Sequence, residues 1–116
     1  MFPKTSDGKP AVDEDITYVQ TWLAMEKLLK TGKTKAIGIS NFSRREVATI
    51  LEKGSVVPAT HQMECHPWLQ QTKFTEWQKS QGILIQHYSP FGNQNEIYDS
   101  GKKFGKLMVC PPCPDL

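Results

Sequence analysis

The sequence has 116 residues, of which 38% are hydrophobic and 9% aromatic, and its formal net charge is +2. This length allows one small domain, and the apolar content argues against wholesale disorder. The nearly balanced charge, with lysines spread along the chain, gives no electrostatic case for a nucleic-acid partner. No apolar run approaches the roughly 20 residues that cross a bilayer, and the polar amino terminus does not resemble a signal peptide. We therefore expect a cytoplasmic protein with no membrane partner.

The first predicted element is a helix that follows a polar loop at residues 1–14. From about Asp15 onward, apolar side chains recur at the spacing of one helix face, at Tyr18, Trp22, Met25 and Leu29. Acidic residues precede this helix, where they suit its amino end, and Gly32 is the predicted stop.

Three short segments then predict strands, which begin at residues 35, 59 and 83 and are therefore 24 residues apart. A helix between the first two opens with Ser43 and Glu46 in the capping-box pattern, and a weaker helix with Phe74 and Trp77 precedes the third. Alternating strands and helices with short connections imply parallel neighbouring strands and right-handed crossovers. A long polar loop is predicted at residues 89–106.

The constant spacing also predicts which side chains share a face of the sheet. Odd-numbered strand positions are the more apolar and should face the helices. Even-numbered positions become polar toward the strand ends, at Ser40, Gln62, Glu64 and Tyr88. Ligands bind at that end of parallel α/β folds, so this rim is the predicted site. Three strands cannot close a barrel and leave two open edges, which predicts either a piece of a larger fold or association with another chain.

Three motifs in order make the sequence resemble a known family. They are KAIGISNF at residues 35–42, HQMECHPW at 61–68 and YSPFG at 88–92, preceded by WLAMEKL at 22–28. Together they resemble the aldo-keto reductases, particularly fungal members of the glycerol dehydrogenase or aldehyde reductase kind, over roughly residues 2 to 108. The resemblance implies a TIM (α/β)8 barrel of roughly 250 residues or more.

Within such a barrel the chain would supply about three parallel βα units, from the fourth helix to the seventh strand. The expected organisation is an N-terminal loop at residues 1–14, a partial reductase domain at residues 15–108 and a divergent tail at residues 109–116. The chain would thus be truncated at both ends relative to the family.

The resemblance also implies NADP(H) as cofactor and small aldehydes or ketones as substrates. Ser40 and Asn41 match the pair that holds the nicotinamide carboxamide, and Gln62 matches the third carboxamide contact. An amide needs both donors and acceptors to fix its face, which these side chains offer.

Four further positions match the remainder of the family's cofactor wall. Tyr88 matches the aromatic residue that stacks under the nicotinamide ring. Ser89, Phe91 and Gly92 match the turn whose backbone N–H groups approach the pyrophosphate. Residues 93–105 resemble the loop that folds over the cofactor.

The family's catalytic residues have no match in this sequence. Reduction in the family uses a Tyr as general acid, with a Lys, an Asp and a His, all on elements that would precede residue 1. Tyr18 and Tyr98 are not substitutes, because the first is predicted on a helix core stripe and the second in the loop. The basic segment that grips the 2′-phosphate is also unmatched, so we expect this chain alone to be inactive.

Other interpretations of the same residues stay open. Ser40 and Asn41 are common before helices, and a Tyr at a strand end is commonly a buried aromatic. His61, Cys65 and His66 lack paired metal-ligand spacing, so no metal site is predicted. The chief alternative function is a non-catalytic remnant or interaction module that associates with another chain. A flavodoxin-like open sheet explains only the element order.

Overall fold

A computed structural model of the chain describes residues 3–11 and 15–92. The elements in chain order are α1 (Tyr18–Lys30), β1 (Ile39–Ser40), α2 (Arg44–Lys53), β2 (Thr60–Glu64), α3 (Thr72–Ser80) and β3 (Leu84–Tyr88). The strands form one parallel sheet in the order β1-β2-β3. The predicted alternation of helices and parallel strands is therefore confirmed. The predicted cofactor loop at residues 93–105 and the tail at residues 109–116 lie outside the described residues.

Helix α1 begins three residues later than predicted, because its cap is Thr17 and not an acidic residue. The Thr17 hydroxyl accepts the Gln20 N–H at 3.2 Å, and the Gln20 Oε1 accepts the Thr17 N–H at 2.8 Å. This reciprocal pair satisfies two N–H groups that the first helical turn cannot pair internally. The predicted stop is confirmed, since the helix ends at Lys30 and Gly32 follows with φ +70.

Helix α2 has the predicted capping box. The Glu46 Oε2 accepts the Ser43 N–H at 2.7 Å, and the Ser43 hydroxyl accepts the Glu46 N–H at 3.4 Å. The Ser43 hydroxyl also donates to the Glu46 Oε2 at 2.6 Å, and this bond, followed by the one from the Ser43 N–H, lowers the pKa of Glu46 below 4.5 by stabilising its carboxylate form. The box fixes where the chain turns from β1 into α2, and hence how the residues between them leave the sheet.

The strand register differs from the constant spacing of 24 residues. Strands β2 and β3 keep that spacing, for example at Thr60 and Leu84. Strand β1 instead pairs Ser40 with Gln62, a spacing of 22. In this register Gly38 lies so close to β2 that a Cβ atom on it would come within 2.7 Å of the Thr60 carbonyl oxygen. Because both spacings are even, the predicted faces are unchanged.

The odd-numbered face of the sheet is the buried one, as predicted. His61 and Met63 are 0% and 3% exposed, whereas Leu84 on the even-numbered face is 66% exposed. The core between sheet and helices is formed by Trp22, Ile37, Ile39, Val47, Ile50 and Ile83. Tyr18, predicted within the α1 core stripe, is instead 38% exposed, with its ring edge-on to Phe42 at 5.5 Å. The described helices thus pack on one face and leave most of the other open.

A carboxylate ties α1 to the segment that links α2 and β2. Glu26 accepts the Ser55 hydroxyl at 2.7 Å, the Ser55 N–H at 2.8 Å and the Val56 N–H at 3.0 Å. The bond from the Ser55 hydroxyl, with the two backbone bonds, lowers the pKa of Glu26 below its usual 4.5. Among the described helices, none is long and apolar enough to cross a membrane.

Candidate functional site

Polar side chains from all three strands meet at one rim of the open sheet face. The register aligns Ser40 on β1 with Gln62 on β2 and Gln86 on β3. Two residues further along, Glu64 on β2 is aligned with Tyr88 on β3. Because parallel strands end at the same edge, residues far apart in sequence share this rim. The predicted alignment of Ser40 with Glu64 is wrong, since Ser40 lies opposite Gln62.

Asn41 and Tyr88 are joined directly, although 47 residues separate them. The Tyr88 hydroxyl donates to the Asn41 Oδ1 at 2.8 Å. Asn41 has φ +59, a left-handed conformation that asparagine tolerates better than most residues, and its N–H donates to the Gln62 carbonyl at 2.9 Å. The turn after β1 therefore brings the Asn41 side chain back over the sheet edge toward β3.

These bonds determine what the two amide side chains can offer a ligand. With its Oδ1 occupied by Tyr88, Asn41 keeps its Nδ2 donors unpaired within the described residues. Gln62 donates through Nε2 to the Gln86 Oε1 at 3.4 Å, so its own Oε1 remains as an acceptor. The wall thus presents an amide donor from Asn41 and an amide acceptor from Gln62, two residues joined by the Asn41 N–H bond to the Gln62 carbonyl. A primary carboxamide, with one carbonyl and one NH₂ group, is the complementary ligand chemistry.

The Ser89–Gly92 segment forms a tight turn directly after β3. Ser89 has φ +52 and Gly92 has φ +74. The Gly92 N–H donates to the Ser89 carbonyl at 2.9 Å, and Phe91 is 63% exposed. Binding of a phosphate oxygen by the Gly92 N–H would therefore require this turn to open.

A cleft of about 450 Å³ adjoins the rim, between the amino ends of α2 and α3. Its lining is Asn41, Phe42, Ser43, Arg44, Met63, Glu64, Gln71, Phe74 and Tyr88. The Arg44 guanidinium lies 4.8 Å from the centre of the Trp77 ring, where a cation–π contact holds it. The Glu64 carboxylate lies 3.3 Å from the His66 Nε2. The lining of the cleft thus combines polar and charged side chains with the apolar Phe42, Met63 and Phe74.

Sequence reasoning missed two residues that support the rim. Gln86 accepts the Gln62 amide, and its spacing of 24 residues from Gln62 was a usable signal. His61 was considered only as a metal ligand, but its Nε2 accepts the Phe42 N–H at 3.0 Å beneath the rim. Among residues 3–11 and 15–92, no three His, Cys, Asp or Glu side chains are grouped to hold a metal ion.

Comparisons with known proteins connect this arrangement to one family. Residues 7–102 match the sequence profile of the Aldo/keto reductase family. An uncharacterized oxidoreductase of Schizosaccharomyces pombe is 52% identical over 107 residues, which cover 92% of this chain and 32% of that protein. An aldehyde reductase of Saccharomyces cerevisiae is 42% identical over 114 residues, covering 90% of this chain and 36% of its own length. The chain thus spans about a third of the curated relatives it matches.

Solved structures give the same result for the fold. The aldose reductase of Giardia lamblia superposes with a TM-score of 0.73 at 33% identity, over 79% of this chain and 30% of that chain. An aldose reductase of Schistosoma japonicum superposes with a TM-score of 0.71 at 36% identity, over 76% of this chain and 29% of that chain. The predicted fold class is confirmed, because the three parallel strands with their helices form an open part of the TIM barrel of these reductases.

Proposed function

This chain belongs to the aldo/keto reductase family of oxidoreductases, and we propose that it supplies the nicotinamide-binding wall of an enzyme that reduces small aldehydes and ketones to alcohols. The observation that carries the proposal is the pair of oriented amides at the rim. The Asn41 donors and the Gln62 acceptor match the carbonyl and NH₂ groups of a nicotinamide carboxamide. The relative in Saccharomyces cerevisiae is named an aldehyde reductase, which supports the substrate class.

The proposed cofactor is NADP(H), and each group of wall residues would contact one part of it. Asn41 and Gln62 would orient the carboxamide, with the exposed Ser40 hydroxyl beside them as a further donor or acceptor. The Tyr88 ring would lie against one face of the nicotinamide, leaving the opposite face for the substrate. When bound, the reduced nicotinamide supplies the hydride that a carbonyl carbon accepts. The proposed contacts of the pyrophosphate are Ser89, Phe91 and Gly92.

The role of this chain would be to bind and orient the nicotinamide, because the family's proton-donating residues have no match in its sequence. We therefore expect the 116-residue chain to show no NADPH-dependent reduction of glyceraldehyde above background. The family's 2′-phosphate segment is also unmatched, so NADPH and NADH should bind this chain about equally. A cytoplasmic location is part of the same proposal and can be tested by cell fractionation.

A titration followed by amide NMR signals tests the binding wall. NADPH added to the labelled full chain should shift the signals of Asn41, Gln62 and Tyr88. Gln62→Met should weaken the shifts because it removes the acceptor for the carboxamide. Gln81→Met is the matched control, since it changes an exposed glutamine after α3, at the opposite end of the strands. Shifts confined to other residues, or equal weakening by both variants, would contradict the proposed wall.

An interaction module is the second candidate, and one observation favours it. Leu84, at the start of the edge strand β3, is 66% exposed on the open sheet face, and within the described residues β1 and β3 each pair with β2 alone. Such edges and apolar positions favour association with another chain. Size-exclusion chromatography with light scattering separates the two candidates: a monomer that binds NADPH supports the wall, and a stable oligomer without nucleotide binding supports the module.

A further inference from the structure

We propose that neutral His61 is a positioning residue that holds Asn41 in place for carboxamide binding. His61 is 0% exposed, and its Nε2 accepts the Phe42 N–H at 3.0 Å. It lies beneath the rim and does not line the cleft, so it would act through the turn and not by contact with a ligand. The inference rests on the proposed nicotinamide site, because Asn41 gains its function there.

The hydrogen bonds of the ring define its protonation state. The Nδ1 is paired with the Oε1 of Gln78, an acceptor, so Nδ1 carries the hydrogen. The Gln78 amide is oriented for this role, since its Nε2 donates to the Met63 sulfur at 3.6 Å. The Nε2 of His61 must then be the unprotonated nitrogen, which is the state that can accept the Phe42 N–H. A second proton on the ring would remove this acceptor.

Two bonds to neighbouring residues of β2 fix the turn after β1. The Asn41 N–H donates to the Gln62 carbonyl at 2.9 Å, and the next N–H, of Phe42, donates to His61. Between them the chain passes through the left-handed conformation of Asn41, at φ +59. Without the His61 acceptor, the buried side of this turn would lose one of its two bonds to the strand. The Asn41 side chain would then be less well held against Tyr88.

The described residues that contact the ring or lie opposite His61 in the sheet are aromatic, aliphatic and amide residues. From the turn, Phe42 meets the ring edge-on with centroids 6.4 Å apart. From α3, the Phe74 ring also meets the His61 ring edge-on, with centroids 5.9 Å apart, and the Gln78 Oε1 pairs with the His61 Nδ1. Along the sheet, Ile39 and Ile85 are its register partners. Among the described residues, the ring is therefore held between apolar side chains and has the Gln78 Oε1 and the Phe42 N–H as its hydrogen-bond partners.

The first test uses the full chain without any nucleotide. Long-range proton–nitrogen NMR spectra should show His61 with a protonated Nδ1 and an unprotonated Nε2. In His61→Phe, the signals of the Phe42 amide and of the Asn41 side-chain amide should both move, because the turn loses its acceptor on β2. A protonated Nε2 in wild type, or Asn41 side-chain signals that do not change in His61→Phe, would overturn the assignment. This test stays decisive if the chain binds no nicotinamide.

The second test measures NADPH binding by variants. His61→Phe keeps a ring but removes the acceptor, and should weaken binding by about two- to tenfold, the usual range for one lost hydrogen bond. His61→Gln places an amide oxygen within reach of the Phe42 N–H and should restore most of the affinity. Ile85→Val is the control, because it removes one methyl group from the register neighbour of His61 and takes no hydrogen bond from the turn.

The pattern across these variants separates positioning from general stability. Loss in His61→Phe with recovery in His61→Gln and no change in Ile85→Val supports the proposal. Equal binding by all three variants would overturn it. If wild type binds no NADPH, the proposed nicotinamide site is wrong. The nucleotide-free spectra then decide by themselves whether His61 holds Asn41.

Discussion

Replacement of Gly54 by Ala should destabilise the fold, because this glycine fills the junction of α1 and α2. A Cβ atom there would come within 2.7 Å of the Trp22 Nε1 and 2.8 Å of the Glu26 Oε1 and the Ile50 carbonyl oxygen. Gly54 itself has φ −84 and ψ 165, which any residue adopts, so the cost is one of space and not of backbone strain.

The magnitude follows from how far these atoms would have to move. Ordinary contact begins near 3.4 Å, so the Trp22 indole would have to retreat by about 0.7 Å. Trp22 is 2% exposed, and the Ile50 carbonyl is held by the Gly54 N–H at 2.8 Å, so neither moves freely. Overpacking of this kind costs about 1–3 kcal/mol, offset by about 0.4–1 kcal/mol from the stiffer unfolded chain. We expect a net loss of about 1–2 kcal/mol.

Thermal unfolding followed by circular dichroism measures this loss. In a domain of this size, 1–2 kcal/mol lowers the melting temperature by roughly 4–15 °C. Gly32→Ala is the comparison, because a Cβ there meets no atom within 4 Å and only the positive φ of +70 opposes it. Gly54→Ala alone should also shift the Trp22 indole NMR signal. A variant as stable as wild type, with that signal unmoved, would refute the packing argument.

Three further predictions concern side chains that form hydrogen bonds. Tyr88→Phe should weaken NADPH binding by about two- to fivefold, since it removes one exposed bond, and a double-mutant cycle with Asn41→Ala should show that the two losses are not additive. Ser43→Ala should lower the free energy of unfolding by about 1 kcal/mol in urea melts, whereas Ser43→Thr, which keeps the cap, should cost less. The pKa of Glu26 lies below 4.5 in the folded chain, so its stabilising effect is full above that value and is lost as the pH falls through the folded pKa. Urea midpoints measured from about pH 6 to pH 3 should therefore fall less steeply in Glu26→Gln than in wild type.

Local patterns in the sequence were sufficient for the elements and their faces. The spacing of Ser43 and Glu46 identified the start of α2 because a capping box depends on residues three apart. Thr17 and Gln20 have the same form, and attention to glutamine as well as glutamate would have located the start of α1. The predicted faces of the strands were correct despite the error in register, because spacings of 22 and 24 residues are both even and place the same side chains on each face.

Contacts between distant residues could not be read in the same way. The register of β1 depends on the close approach of Gly38 to Thr60, which no local pattern encodes. Asn41 and Tyr88 were both named as candidates, but their bond requires the left-handed turn at Asn41. His61 supports that turn only because the Phe42 N–H points back at β2. The site residues could therefore be named from sequence, whereas their supporting bonds required the fold.

The openness of the wall also limits how tightly this chain should hold a nucleotide. Hydrogen bonds from Ser40, Asn41 and Gln62 contribute about 0.5–1.5 kcal/mol each in contact with water. A stacked ring on Tyr88 adds about 0.5–1.5 kcal/mol. The sum, about 2–6 kcal/mol, is opposed by an association cost of about 4 kcal/mol or more.

The most favourable balance is about −2 kcal/mol, so we expect the dissociation constant of NADPH for the 116-residue chain to be no tighter than about 30 mM. Reduced nicotinamide mononucleotide should bind about as well as NADPH, because the wall contacts the nicotinamide half. NMR titration measures both ligands in this range. A micromolar constant for NADPH, with much weaker binding of the mononucleotide, would contradict the estimate and would assign most of the affinity to the adenosine and phosphate groups. The carboxamide wall would then orient the nicotinamide without supplying the affinity.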